Sequence, residues 1–365
     1  MTANPFKPTA GKTPPTIIGR EDVIDEFVEG LENGAGAPGR LMRISGVRGT
    51  GKTVLLNEIR RIAHDYGWET IDETASEGLC NRILDRAQPM RRVKGADVEP
   101  TALGISLGSL QIERTTPTLR DALARVITQN GHGLLITLDE VQDAEMDEMR
   151  ALAITVQQLI SDDLDVAFVF AGLPSMIDNV INGKTLTFLR RAVPFELGVV
   201  GIEEVAVSIR ETIEGSGLRV SEEVAQTLAQ ASEGYPFLIQ LVGYHAWQLA
   251  SRREDGTITN ETAREGTAIA RGRFDQTVIE PALQRVPQTG IAYLLAMAED
   301  GDHSSRTSEV AKRLDRTPQQ ASPIRATLLR DSLIEAPARG RVSFAIPYMA
   351  DYLNTHREEL EGLIG

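Results

Sequence analysis

The sequence holds a single cysteine, Cys80, among 365 residues. One thiol cannot form an internal disulfide, and it excludes any zinc site built from several cysteines. His64, His132, His245, His303 and His356 are scattered, and none stands at metal-ligand spacing from another His or from Cys80. No apolar run approaches the roughly 20 residues that a membrane-spanning helix needs. The first residues, MTANPFKPTAGKTPP, lack the apolar core of a secretory signal, so 1–14 read as a flexible leader. Positive charge is in deficit too. The formal net charge is −14, so the chain as a whole repels nucleic-acid phosphate. These absences predict a cytoplasmic protein that does not engage membranes.

What is present is a globular composition, 41% hydrophobic and 25% charged, in a chain long enough for two or three domains. Ile24, Val28 and Leu31 recur at helical spacing in IIGREDVIDEFVEGL. RLMRISG (40–46) is an apolar run, and Leu55, Ile59 and Ile62 give a helical stripe after it. SLGSLQIERTT (106–116) reads equally as strand or loop. TPTLRDALARVITQNG (116–131) has a Thr cap and a glycine stop, as a helix would. GLLITLDE (133–140) and DVAFVFAG (165–172) read as strands buried on both faces, with the helical pattern MRALAITVQQLI between them. Alternating strands and helices predict an α/β fold with a parallel sheet. From about 202 strand patterns cease. Three helical patterns follow, IEEVAVSIRETIEGSG, SEEVAQTLAQASEG and PFLIQLVGYHAWQLASRRE, and predict an all-helical unit in which Tyr244 and Trp247 pack. After about 283 the chain reads as helix, helix and glycine-tipped hairpin.

GVRGTGKT, residues 46–53, lies on the junction between a strand and a helix. It matches the P-loop pattern in full: Gly46, then Val47, Arg48, Gly49 and Thr50, then Gly51, Lys52 and Thr53. Glycines let the backbone N–H groups curl around phosphates at a helix N-terminus. Lys52 supplies charge to the β and γ phosphates of ATP, and the Thr53 hydroxyl is a ligand for Mg²⁺. Arg48 reads as either a phosphate contact or a solvent-facing loop residue. Asp139 ends the run LLITLD and is the expected metal-holding acid. Glu140, one residue on, is placed to polarise an attacking water as general base. The alternative for Glu140 is a solvated acid at a strand end. A base of this kind points to hydrolysis of ATP to ADP, not to a small-molecule kinase.

GVRGTGKT, LLITLDEVQ and VAFVFAGLPS, in this order, resemble the AAA+ branch of P-loop ATPases, close to its STAND and origin-initiator-like members. TIIGREDVIDEF (16–27) resembles the opening motif of that clade, which implies an adenine contact from Ile17, Ile18, Gly19 and Arg20. SEGYPFLIQLVGYHAW (232–247) resembles its helical lid, with Tyr235 and Pro236 near the base. The resemblance implies an AAA+ core over 15–201, a helical lid over 202–282 and a winged helix over 283–365. It also implies a homo-oligomer in which an arginine finger, Arg191 or Arg190, reaches a neighbouring subunit's ATP. The second buried strand ends in AGLPS, with Ser175 the nearest polar side chain, and the lid shows Pro236 where motor-type members offer arginine. These departures imply slow hydrolysis.

Between Arg306 and Arg341 stand eight basic residues against four acids, a local excess of positive charge in an acidic chain. Ser322 would cap a helix with Pro323 at its first position, leaving Arg325 and Arg330 outward, and Arg339 and Arg341 would form the wing tip. Such a unit serves double-stranded DNA or a protein partner. MRRVKG (90–95) is a second basic patch. Three functions therefore stand: a slow nucleotide switch acting on a protein, an initiator-like or transposition-regulator-like DNA-binding ATPase, and a nucleotide-dependent structural module without turnover.

Overall fold

The computed structural model describes residues 3–9, 11–87, 118–175, 177 and 187–362. The segment 106–116 and the basic patch 90–95 lie outside the described residues.

Five strands form one parallel sheet: β1 (Leu41–Gly46), β2 (Glu69–Thr74), β3 (Leu134–Asp139), β4 (Val166–Gly172) and β5 (Val193–Leu197), in the order β2-β3-β4-β1-β5. Every residue of β3 and β4 is buried, as their apolar runs require. Their side chains alternate between two cores. Leu134, Ile136, Leu138, Phe168 and Phe170 face α3 (Leu79–Ala87), α4 (Leu119–Asn130) and α5 (Met146–Ser161). Leu135, Ala167, Val169 and Ala171 face α1 (Glu21–Glu32) and α2 (Lys52–Asp65). The sheet order puts the carboxyl ends of β1, β4 and β3 side by side, where ligands bind in open α/β sheets.

Beyond the sheet come α6 (Ile202–Gly215), α7 (Glu222–Ala231), α8 (Pro236–Ala250) and α9 (Asn260–Phe274). Two expectations are corrected here. The unit is not all-helical, because β6 (Arg219–Val220) pairs in parallel with β7 (Thr257–Ile258). It also has a fourth helix, α9, whose buried stripe is small: Ala263, Gly266 and Ala270, ending in Phe274. A Cβ at Gly266 would lie 2.7 Å from the Ala246 nitrogen, so the close approach of α9 to α8 requires glycine there. A stripe of small residues carries little hydropathy signal, which is why the sequence pattern hid it.

A π-helical turn, Asp275–Ile279, leads into α10 (Glu280–Leu283) and α11 (Gln288–Ala298). Then come α12 (Thr307–Arg313), α13 (Pro318–Arg330), α14 (Met349–Thr355) and α15 (Arg357–Gly362). A small antiparallel sheet orders β8 (Ser305–Arg306), β10 (Arg341–Phe344) and β9 (Ile334–Glu335). The start of α13 differs from expectation. Thr317 and Gln320 form a reciprocal capping box, so the helix begins at Pro318, and Ser322 and Pro323 lie inside it. One apolar core runs continuously from α6 through α14.

The largest correction concerns residues 1–14. This segment is not a loose leader where it is described. Phe6 is 2% exposed and its ring fills the space above Gly243, where a Cβ would come within 2.3 Å of it. Asn4 Nδ2 donates to the Tyr244 carbonyl at 3.0 Å and the Lys7 amide donates to Gln240 Oε1 at 2.9 Å, both on α8. Asn57 Nδ2 of α2 donates to the Gly11 carbonyl at 2.9 Å. One aromatic side chain supplies the burial that holds the strap down. Phe6→Ala is expected to cost about 3 kcal/mol in denaturant unfolding and to expose the strap to proteolysis; an unchanged midpoint would show that Phe6 contributes nothing to the core.

Candidate nucleotide-binding site

The P-loop leaves β1 at Gly46 and ends as Lys52 starts α2. Gly49 and Gly51 hold φ of +78° and +91°, in the left-handed region that glycine tolerates. Thr50 Oγ1 closes the loop on the Val47 carbonyl at 2.8 Å. Lys52 is only 5% exposed, and its Nζ donates to the carbonyls of Gly46 (2.8 Å) and Val47 (3.0 Å). Burial pushes its ammonium below the usual pKa, and the carboxylates of Glu140 and Asp139 oppose that fall. The cation is thus held inside the glycine-rich loop.

Across β4, Asp139 meets this loop directly: Thr53 Oγ1 donates to Asp139 Oδ2 at 2.5 Å. Asp139 Oδ1 accepts from the Glu140 amide at 2.9 Å. A hydroxyl beside a carboxylate is a hard-oxygen donor pair, which suits Mg²⁺. Among the described residues no cluster of three or more His, Cys, Asp or Glu could enclose a metal by itself. Thr53 and Asp139 would therefore hold Mg²⁺ together with phosphate and water oxygens, and the ion would supply charge neutralisation at the phosphates.

Two further pieces brace the loop. Arg20 is buried and donates to three backbone carbonyls, Gly19 (2.7 Å), Gly198 (2.7 Å) and Thr50 (3.3 Å). Burial lowers its pKa, and Asp22, Glu204 and Glu21 oppose that fall. Tyr235 is buried just before α8, and its hydroxyl donates to the Arg48 carbonyl. Gly234 (φ +70°) lies against Val200, whose amide donates to the Gly234 carbonyl at 2.8 Å. The P-loop is therefore tied on one side to the segment before α1 and on the other to the helical unit.

These parts enclose a cavity of about 620 Å³, a size that suits a nucleotide. Loop residues 48–53 line it, with Ile17, Ile18 and Arg20, Glu140, and the pair Tyr235 and Pro236. Gly19, Gly46, Val47 and Asp139 are not part of that lining. Arg190 and Arg191 lie exposed on a 3₁₀ turn, Thr187–Arg191, outside the cavity. Ser175 does not face it either: its hydroxyl donates to the Arg330 carbonyl at the end of α13, at 2.9 Å.

Several lining residues escaped the sequence reading. Phe6, Lys7, Thr9 and Lys12 come from the strap, Gln142 and Asp143 from the turn after β3, and Arg285 from beyond the π turn. A lone phenylalanine in a polar leader was the signal for the strap. Nothing in sequence spacing signals Arg285. Arg325, Arg330, Arg339 and Arg341 divide. Arg341 Nη1 donates to the Ser304 carbonyl and hydroxyl at 3.0 and 2.9 Å, and Arg330 pairs with Asp331 at 3.1 Å. All but Arg330 line a hollow of about 360 Å³ between α13 and the β9–β10 hairpin.

Residues 16–169 match the family model described as AAA ATPase domain. Residues 276–353 match a second model, a domain of unknown function. None of the curated proteins compared matches the chain. The fold is that of archaeal AAA+ proteins. The ORC2 protein of Aeropyrum pernix is 14% identical with a TM-score of 0.66, over 98% of this chain and 97% of that one. A Walker-type ATPase of Pyrococcus abyssi is 17% identical with a TM-score of 0.65, over 93% and 96%. Cdc6p of Pyrobaculum aerophilum is 14% identical with a TM-score of 0.51, over 98% of both chains. No helix among the described residues is long and apolar enough to cross a membrane.

The AAA domain site yields a direct test. A Cβ at Gly49 would sit 2.4 Å from the Tyr235 hydroxyl, at a φ of +78°. Gly49→Ala is expected to weaken ATP binding at least tenfold in calorimetry; retention of parental affinity would show that the loop and Tyr235 move independently.

Proposed function

We propose that this chain is an AAA+ ATPase that hydrolyses ATP slowly and uses the nucleotide as a conformational or assembly switch on a protein partner. The observation that carries the reading is the joining of Lys52, Thr53 and Asp139 at one crevice, with Glu140 on its lining. In this reading Lys52 exchanges the loop carbonyls for β and γ phosphate oxygens. Thr53 and Asp139 hold Mg²⁺. Glu140 takes the proton of the attacking water. Ile17, Ile18, Tyr235 and Pro236 surround the base. Slow turnover is supported by Ser175, whose hydroxyl is spent on Arg330 and leaves the end of β4 without that polar reader. Units at 15–201, 202–282 and 283–365 then act as core, STAND-like lid and winged helix. ATP binding would change how the second and third sit on the first.

Arg191, with Arg190 beside it, is proposed to complete the site of a neighbouring subunit from its exposed turn. Lys52→Ala is expected to abolish ATP binding. Glu140→Gln should retain binding and lose roughly a hundredfold in hydrolysis. Specific activity should rise with protein concentration and lose that rise in Arg191→Ala. A flat profile would remove the intersubunit finger, and tight binding with no turnover at any concentration would favour a purely structural module.

One observation favours a second reading, double-stranded DNA as partner. Arg325 and Arg339 flank the hollow between α13 and the hairpin, within a stretch, 306–341, that holds eight basic residues against four acids. Arg325→Ala with Arg339→Ala should then weaken duplex binding in 50 mM salt about tenfold and reduce the salt slope by roughly one for each phosphate no longer neutralised. Duplex binding that is absent in the parent chain would leave the protein-directed switch.

A further inference from the structure

We infer that Gln142 is a positioning residue for hydrolysis: its side-chain amide fixes the Glu140 carboxylate at the phosphate site by anchoring it to the end of β4. The inference rests on the ATPase reading above and names a component that the P-loop and acidic pair do not predict.

Four observations converge on it. Glu140 adopts φ +53°, the left-handed region that a side-chain-bearing residue enters at a cost. That kink starts the 3₁₀ turn Val141–Asp143, which folds Gln142 back over its neighbour. Gln142 Nε2 then donates to Glu140 Oε2, and Gln142 Oε1 accepts from the Leu173 amide at 3.3 Å. The partners dictate the orientation of the amide, because an ionised carboxylate only accepts and a backbone N–H only donates. Gly172 leaves the space for this bridge: a Cβ there would lie 3.0 Å from Gln142 Oε1 and 2.6 Å from Val141 Cγ2. Finally, Glu140 and Gln142 both line the nucleotide cavity, and Glu140 acts on Lys52 more strongly than any other charged neighbour. The carboxylate held by Gln142 therefore faces the ammonium that receives phosphate.

The consequence is preorganisation. In hydrolysis the water oxygen forms a bond to the γ-phosphorus as the bond from that phosphorus to the bridging oxygen of ADP breaks. The water proton passes to Glu140 and later to solvent. A glutamate free to rotate must be ordered at that moment, whereas one already held by Gln142 and Leu173 is ordered beforehand. The bridge also joins β3 to β4 at their carboxyl ends, two residues before Ser175 grips α13.

Gln142→Met keeps the length and apolar bulk of the side chain and removes both hydrogen bonds. In the full-length chain it is expected to lower single-turnover hydrolysis of ATP about tenfold, with the ATP dissociation constant within twofold of the parent. Gln142→Asn, one methylene short of spanning the two partners, should lose a similar factor and gives a second route should Met disturb folding. The decisive measurement is the double-mutant cycle: in a Glu140→Gln background, Gln142→Met should cost nothing more. An equal loss in both backgrounds, a parallel loss of ATP affinity, or an unchanged rate each overturns the assignment. A parent chain that binds ATP and never hydrolyses it overturns the ATPase reading together with this one; hydrolysis lost in Glu140→Gln but untouched in Gln142→Met overturns this one alone.

Discussion

The hydrogen bond from Thr53 to Asp139 is the contact around which the site is arranged. It joins the first turn of α2 to the end of β3 across the intervening strand β4, so it exists only because the sheet runs β2-β3-β4-β1-β5. The central strands β3 and β4 are held by burial on both faces, and the two alternating cores lock their register. A slip of one residue in β3 would turn Asp139 away from the P-loop and send its apolar residues to the wrong faces. The packing of the sheet and the chemistry of its edge are one constraint.

Around that contact the molecule spends polar groups on holding backbone. Arg20 takes carbonyls from three separated segments, Lys52 folds onto its own loop, and Tyr235 reaches the Arg48 carbonyl. Burying such groups is costly unless they are paired, and here their partners are carbonyls of the P-loop or its supports. Nucleotide phosphate would compete for Lys52 alone, leaving Arg20 and Tyr235 as fixed braces. Asn4, Lys7 and Gly11 of the strap add a brace between α8 and α2, so the helical unit and the sheet are connected along the cavity rim as well as at its base.

Much of this was legible beforehand where chemistry follows local spacing. GVRGTGKT states its conformation because glycines at fixed offsets permit the curl. LLITLDE states a buried strand ending in acids because so apolar a run cannot face water. The failures share a cause. Phe6 sits in a segment whose composition is that of a free terminus, and only the groove beside Gly243 makes it core. Helix α9 buries glycine and alanine, which periodicity scarcely registers. The start of α13 was misplaced because Ser322-Pro323 and Thr317-Pro318 both look like a cap, and only Gln320 closing on Thr317 separates them.

The sequence by itself determined the glycine-rich loop, the acidic pair and the alternation that makes a parallel sheet, since each is a property of neighbours along the chain. Tertiary structure alone decided what meets the loop: Tyr235 at Arg48, Arg20 beneath Thr50, Gln142 between Glu140 and Leu173, and Ser175 on Arg330 in place of the cavity. Most of those pairings join residues far apart in the chain. Hydrogen-bond reach across folded elements, not spacing in sequence, selects them.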